Sequence, residues 1–484
     1  MQGDFSRVTF DPDQRFSAVL SQQGRVQLDS EINEQTAIVL HYLRELVTDV
    51  LGPAACPAGP DEEDLGGFRV DFTDGVLTVS PGRIYVKGIP CDCDGAEFWS
   101  QPDGHLDQVR DEDRKLPDGP FLVYLRVWER LVTAHEEPAI RELALGLHGP
   151  DTTVRTRVVW QVDWMPLGPE PFIPDANTAA EFLKERIDRQ FTPRGMLAAR
   201  AQLPEDETEP CDLSPDAGYR GPENQLYRVE VHRGGTAGQA TFKWSRENAS
   251  VVFPVRSVSG STVELDSLGR DDKLGVDLGD VVEVVDDASV SRAAWDVTPR
   301  SATRLYRIVE IDHAARRVVL DADPAGDPHH PGLGTVPALH PLLRRWDHRP
   351  PEPTEHSGTT AATSGDGGLL IEEDTWMPLE DGIHVRFEPA PASADTPDED
   401  EDEDTEPARR QYRAGDYWLI PARVVTGDVL WPEDAQGKRV PVEPHGIQYH
   451  YAPLANVEPA GDAEREVQDL RRLFGPLAKP QQEV

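Results

Sequence analysis

The sequence predicts a mainly-β, multidomain protein: short-strand sandwich or barrel modules with an N-terminal helix and a few helical inserts. Three observations lead there. Proline and glycine supply 43 and 39 of the 484 residues, which favours turns and short strands over long helices. Many short runs alternate apolar with polar residues between Gly, Asp or Pro, the pattern of half-buried strands. Helical periodicity is confined to a few short segments. A chain this long exceeds one ordinary core, so about two to four domains are expected.

Residues 1–52 read as an N-terminal arm and a docking helix. Ile32, Val39 and Leu46 recur every seven residues, with Leu43 and Val50 between them at the alternating three-four spacing. That is an a/d seam, interrupted at Thr36. Asp29 or Ser30 caps its start, and Gly52-Pro53 stops it. So short a seam fits a helix packed on its own domain or one that self-associates, and the spacing leaves both readings open.

After a Pro/Gly/acid linker, a β-rich domain is predicted over 66–170. Phe68–Phe72 and Val76–Val79 pair around Asp74-Gly75, and Pro81–Ile89 has a turn at each end. Residues 121–128 are mostly apolar, as in a central strand, and Arg155–Trp164 alternates. A helical insert and acidic loop occupy 171–217. Asp175 or Asn177 caps the helix, and Phe182, Ile187, Phe191, Met196 and Leu197 form an apolar stripe broken at Pro193. Regularly spaced strands from Leu226 to Leu320 predict a β-barrel or sandwich domain over 218–347. A C-terminal β-rich domain follows at 370–456. Its acidic insert, 389–408, carries like charge too dense to pack, so disorder is expected there. Residues 457–484 read as a helix and tail, the helix running from Ala463 to Phe474 with Val467, Leu470, Leu473 and Phe474 on one face.

Forty-eight basic against 88 acidic residues give a net charge of -40. That repels nucleic acid and anionic membranes and disfavours both as partners. No apolar run reaches membrane-span length and no basic-then-apolar leader is present, so the expected location is the cytoplasm. Four cysteines are too few for a disulfide framework in this length. Cys91 and Cys93 sit closer than zinc-ligand pairs do, and the positions of Cys56 and Cys211 add no ligand spacing, so free thiols and no metal are expected.

Chemistry is sparse. The chain lacks the nucleophile elbow, the zincin pair, the Walker loop and the dinucleotide-binding glycines. His329-His330 chelates poorly as an adjacent pair, and His445 and His450 have only Glu443 nearby. Glu372, Glu373, Asp374, Glu380 and Asp381 do not single out a catalytic pair among 88 acids. No catalytic residue, cofactor or metal is therefore assigned. In Phe242–Asn248, Phe242 and Trp244 share one face of a strand and Lys243 and Ser245 the other, which predicts a half-buried strand. Tryptophan faces also suit sugar rings, so a carbohydrate-binding or carbohydrate-active protein using exposed Trp and carboxylates is the alternative reading.

Four blocks resemble one family: Gly3–Arg7 with Val19–Asp29 and Asn33–Gln35, then Tyr219–Glu230, then Phe242–Asn248, then Gly415–Arg423. By these the chain is identified as a member of the DUF6519 family. Such proteins resemble components of phage-tail-like contractile injection systems. Pro81–Gly88 is also similar to a strand of tail-fibre head-binding modules, departing from it at the bulkier Ile84. The resemblance implies a non-enzymatic structural part, baseplate-peripheral or tail-fibre-like. Its partners would be baseplate, tube or spike proteins, and the way tail fibres are built, taken with the seam, implies a homotrimer as an expectation. The residues expected to dock it are Phe5, Arg7, Gln23, Arg25, Asp29 and Asn33, with Ile32, Val39, Leu43 and Leu46 on the seam.

Overall fold

Strand pairing across long stretches of chain, more than the order of segments, decides the architecture. The structure is a computed structural model. It describes residues 2–58, 66–73, 75–105, 115–146, 151–167, 175–191, 195–201, 218–271, 273–295, 302–349, 364–389, 412–459 and 465–475. The expected acidic loop at 202–217, Cys211 and all of the acidic insert but Pro389 lie outside them. Two compact units result. A helix-bearing unit comprises Val8–Thr133, Pro150–Arg189 and Gln448–Val484, and a barrel unit comprises Met1–Arg7, Ala134–Gly149 and Gln190–Ile447. The fold is mainly β, as predicted.

In the helix-bearing unit, α1 spans Asp29–Leu51. Neither Asp29 nor Ser30 is its cap. Leu28 takes that place, and its N–H is satisfied by Glu31 Oε2 at 3.3 Å. At the other end Gly52, with φ of 86°, donates its N–H to Thr48 O at 2.8 Å, the stop that Gly-Pro predicts. Strands Gly82–Val86 and Ile89–Cys93 form a hairpin closed by Lys87-Gly88. Both turn residues have positive φ, which suits a two-residue hairpin turn. The helix lies against this turn so closely that a Cβ on Gly88 would meet Arg44 O at 2.5 Å. Only glycine supplies both the backbone angle and the space.

Ala54–Pro57 pairs with this hairpin on one side and runs parallel to Leu473–Phe474 on the other. Val70–Thr73, Val76–Val79 and Ala96–Glu97 make a three-stranded sheet. A four-stranded sheet follows the order Arg465–Asp469, His450–Pro459, Phe121–Val132, Arg155–Pro166. Gln101 covers part of its outer edge, exchanging hydrogen bonds with the Val162 N–H and C=O at 2.5 and 2.9 Å. The second helix, α2 (Ala176–Phe191), is capped by Asp175, whose Oδ1 accepts from the N–H groups of Asn177 and Thr178.

The barrel unit has three layers. Val252–Ser259, Thr262–Leu265, Arg317–Leu320, Leu305–Asp312, Val281–Val285 and Leu342–Trp346 close into a six-stranded barrel around Phe253, Val263, Val284 and Leu343. A five-stranded sheet is ordered Leu369–Leu370, Thr241–Ser245, Gln225–Arg233, Tyr417–Arg423, Asp428–Val429. A third sheet joins Met377–Pro378, His384–Pro389 and Gly195–Arg200. Tyr227, Val229, Phe242, Trp244 and Trp418 pack with Phe387, Leu197 and Val385 between these two sheets.

Three expectations are corrected. The C-terminal helix is absent: Arg465–Asp469 is a strand whose Val467 pairs with Val457. The apolar spacing of 467–474 serves either structure, and the partner strand decides between them. Met196 and Leu197 do not extend the helical stripe but lie in the strand Gly195–Arg200. Residues 218–347 and 370–456 do not form separate domains, because Gln225–Arg233 pairs along its length with Tyr417–Arg423. Likewise His450–Pro459 returns to the sheet built on Phe121–Val132. Among the described residues no helix is long and apolar enough to cross a membrane.

Candidate functional site

On α1 the two faces are reversed from the ordinary arrangement. An amphipathic helix normally turns its apolar stripe to the core. Here Ile38, 1% exposed, Ser30 and the partly covered Ala37, His41, Arg44 and Thr48 turn inward. Arg44 Nη2 holds Glu129 Oε1 at 2.8 Å from that side. The seam residues Ile32, Val39, Leu43, Leu46 and Val50, flanked by Leu40 and Tyr42, face the other way and are 36–65% exposed. At 100° per residue the two sets centre on opposite sides of the helix. The open question about the seam is thus answered among the described residues: those of its own unit do not cover it.

The arm ahead of α1 is also uncovered. Every residue from Asp11 to Asp29 except Val19 is exposed, including Phe16, Leu20, Val26 and Leu28. It is tied to α1 by Thr9 Oγ1, which donates to Glu34 Oε2 at 2.5 Å, and by the Val19 N–H, which donates to Gln35 Oε1 at 2.6 Å. Of the docking residues read from sequence, Gln23, Arg25, Asp29, Asn33, Ile32, Val39, Leu43 and Leu46 all reach solvent here. Phe5 and Arg7 do not join them. They are half-buried in the barrel unit, where the 2–7 segment is held by three contacts. Gln2 Nε2 donates to Glu230 Oε2 at 3.3 Å, Asn248 Nδ2 donates to Gly3 O at 2.8 Å, and Arg423 Nη2 donates to Ser6 O at 3.1 Å. Sequence reasoning left out Leu40, Tyr42, Phe16 and Leu20. Their signal is apolar character in a segment with no partner strand.

A buried layer of charge between the five-stranded sheet and the barrel was also missed. Arg228, Glu230 and His232 line one face of their strand, and Lys243 stands directly across from Glu230. That face was expected to be half-exposed, yet every residue of Thr241–Ser245 is buried. Arg228 Nε bonds Glu230 Oε2 at 2.5 Å, and Lys243 Nζ lies 3.4 Å from Glu230 Oε1 and 2.8 Å from Glu283 Oε2. Thr303 Oγ1 and Trp346 Nε1 donate to Glu283 at 2.8 and 2.9 Å. Burial pushes the Glu283 carboxyl up, but Lys243, with His232 and Arg344, outweighs it and brings it down to about 2. Burial acts likewise on Glu230, and Arg228 and Lys243 reverse it to below the usual carboxylate range. His232 and His348 are pushed down to about 4, chiefly by burial. This layer consumes its charges internally, which is the behaviour of structural ion pairs rather than of an open site.

Other clusters are similarly tied. Glu380 accepts from Tyr227 Oη at 3.0 Å and Arg246 Nη2 at 2.7 Å, and Glu373 accepts from Tyr412 Oη at 3.0 Å. Cys56, Cys91 and Cys93 are buried free thiols, the first two raised to about 11 and about 12 by burial. His445 and His450 fall in different units. No group of three or more His, Cys, Asp or Glu among the described residues is arranged to hold a metal. None of the nine tryptophans with described side chains is exposed. Trp376 lies under the guanidinium groups of Arg200 and Arg386. A groove of about 850 Å³ in the helix-bearing unit is lined by Asp92, Asp94, Glu97, Asp103 and Trp160. Its one tryptophan, Trp160, is 7% exposed, packed T-shaped against Phe68 with its Nε1–H donating to Asp92 O at 2.8 Å, so the ring is buried rather than open to the groove.

Fold and site together define a mainly-β protein of two units whose N-terminal arm and helix present apolar side chains to solvent. The chain belongs to DUF6519, a family of unknown function, whose model matches residues 1–169 and 176–468. No curated protein and no solved structure matches it.

Proposed function

We propose that this protein is a non-catalytic structural part of a larger assembly, held in it through the N-terminal arm and α1. One observation carries the reading: apart from Ile38, α1 packs inward with polar and small residues and leaves its a/d seam outward. Exposed apolar patches of this extent mark protein contact sites. The sequence reading, in which DUF6519 proteins resemble components of contractile, phage-tail-like injection systems, favours a baseplate-peripheral or tail-fibre-like place, with baseplate, tube or spike proteins as neighbours. The β units then form the exposed body, and their net charge of -40 keeps neighbouring bodies from aggregating. The chain would be made in the cytoplasm and built into the particle there.

Sedimentation tests this. Particles pelleted from the producing cells should carry the full-length chain, and the Leu43→Asp/Leu46→Asp variant should stay in the supernatant. A wild-type chain that never pellets with particles would defeat the proposal.

A further inference from the structure

We infer that the groove in the helix-bearing unit docks an extended, basic segment of another protein, which adds as a strand to the free edge of Arg155–Pro166. The inference does not rest on the assembly reading, since none of the groove's lining residues comes from α1.

The backbone makes the first argument. Arg155–Pro166 is the last strand of its sheet and pairs on one side only, with Phe121–Val132, along its whole length and without a bulge. In an antiparallel ladder alternate residues turn both N–H and C=O to the partner, and those between turn both outward. Val162 shows which set is which, because Gln101 takes its N–H and C=O from outside the sheet. Thr156 and Val158 stand at even steps from Val162, so their backbone groups also point outward. Among the described residues no backbone group bonds them there. Edge strands are usually blunted by bulges, proline or a covering segment. Here the cover stops at Val162, and the stretch from Arg155 to Gln161 has neither bulge nor proline.

A second sheet edge borders the same groove. Ile89–Cys93 is also the last strand of its sheet, and Asp92 turns its carbonyl away from Gly82–Val86 to accept from Trp160 Nε1. Val158 and Trp160 from one edge and Asp92 and Cys93 from the other all line the groove. Its volume of about 850 Å³ lies within the roughly 300–1,000 Å³ of clefts that hold ligands. A free edge beside a cleft is the arrangement of strand addition, in which main-chain hydrogen bonds give affinity and the cleft sorts side chains.

Charge names the occupant. Asp92, Asp94, Glu97 and Asp103 surround the groove. Arg83 Nε holds Asp92 Oδ1 at 2.6 Å, and Arg130 Nη2 lies 3.6 Å from Asp103 Oδ1. Asp94 and Glu97 are exposed, and no cation among the described residues pairs with them. Val79, Cys93 and the half-buried Val158 supply apolar lining. A strand that alternates apolar with basic residues meets both, one set on the lining and the other on the acids. Arg155 and Arg157 alternate with Thr156 and Val158, so their side chains leave by the opposite face of the sheet. A second copy of this chain is a poor donor, because each copy carries a net charge of -40.

The probe is a capped hexapeptide of alternating lysine and valine, titrated by calorimetry into the full-length chain at low salt. A dissociation constant below about 1 mM is expected, with slowed amide hydrogen exchange in the segment that holds Thr156 and Val158. The same peptide methylated on every backbone nitrogen keeps its charge but loses its donors, and should bind at least about tenfold more weakly. Val158→Pro removes an N–H that the ladder with Phe121–Val132 does not use, so the circular dichroism spectrum should persist while affinity falls at least about tenfold. Asp94→Asn/Glu97→Gln, at two exposed positions, should also weaken binding about tenfold, and that difference should vanish in high salt. Binding no tighter than about 1 mM at low salt overturns the inference. So does a methylated peptide that binds as well as the plain one, or a Val158→Pro chain of unchanged affinity, because net charge alone would then hold the peptide. Sedimentation of particles does not enter this test, so the assembly reading and the groove fail separately.

Discussion

Replacing Lys243 with methionine should destabilise the barrel unit by roughly 3–5 kcal/mol, the cost of removing one partner from a buried ion pair. Lys243 is the cation shared by Glu230 and Glu283, at 3.4 and 2.8 Å, and all three side chains are more than nine-tenths buried. It also lies 4.4 Å above the Trp346 ring. Methionine fills the volume but leaves Glu283 with the Thr303 hydroxyl and the Trp346 N–H as hydrogen-bond donors and Arg344 on the neighbouring strand as its remaining cation. Denaturant titration followed by tryptophan emission reads the loss. Adding Glu283→Gln to Lys243→Met should recover part of it, because the amide needs no counter-charge. A loss under about 1 kcal/mol for Lys243→Met would mean that the layer is hydrated rather than ion-paired.

The second large effect is a pH dependence with two opposed parts. His232 and His348 have folded values near 4 against 6.5 for the free side chain. Between these values the unfolded chain binds protons that the fold refuses. Their contribution is complete above pH 6.5 and is lost as pH falls to 4, on the order of 3 kcal/mol each. Asp416 runs the other way. Burial raises its carboxyl from 3.8 to about 7, outweighing Arg413, with Glu230 adding to the rise. The folded state then holds a proton that the unfolded chain has released, so this contribution is full below pH 3.8 and is lost as pH rises to 7. Asp416→Asn should therefore be more stable than wild type at pH 8, by on the order of 4 kcal/mol. The gap should close by pH 4, and the variant's fall in stability from pH 6.5 to 4 should be steeper. Unfolding midpoints across that range check it, and a constant offset between the two proteins would refute it.

Local patterns were legible in the sequence where neighbours in the chain are neighbours in space. The hairpin of Val70–Thr73 with Val76–Val79 and the turn that ends Pro81–Ile89 follow from alternation and turn residues alone. Ser250–Val255, expected beside Leu226–His232, pairs with Thr262–Leu265 and Leu342–Trp346 instead. Pairing partners were not legible. Nothing within Gln225–Arg233 names Tyr417–Arg423 as its neighbour, and the domain boundaries drawn between them fell accordingly. The same limit hid the charge layer. Arg228, Glu230 and His232 alternate with Tyr227, Val229 and Val231, which reads as a wet face and a dry face, and only the barrel laid over them makes both faces dry. For α1 the period of the seam was legible, but its direction was not. Heptad spacing shows that Ile32, Val39 and Leu46 share a side, while the close fit of Gly88 under Arg44 decides which side is left free.

Oxidative footprinting of wild-type protein in its assembled and dilute, dispersed forms tests the central claim most directly. The account predicts that Tyr42, Leu43 and Leu46 lose labelling on assembly, while Val425, 96% exposed in the barrel unit, keeps it. Equal labelling of the α1 seam in both forms would contradict it, because the assembly would then be held by some other surface.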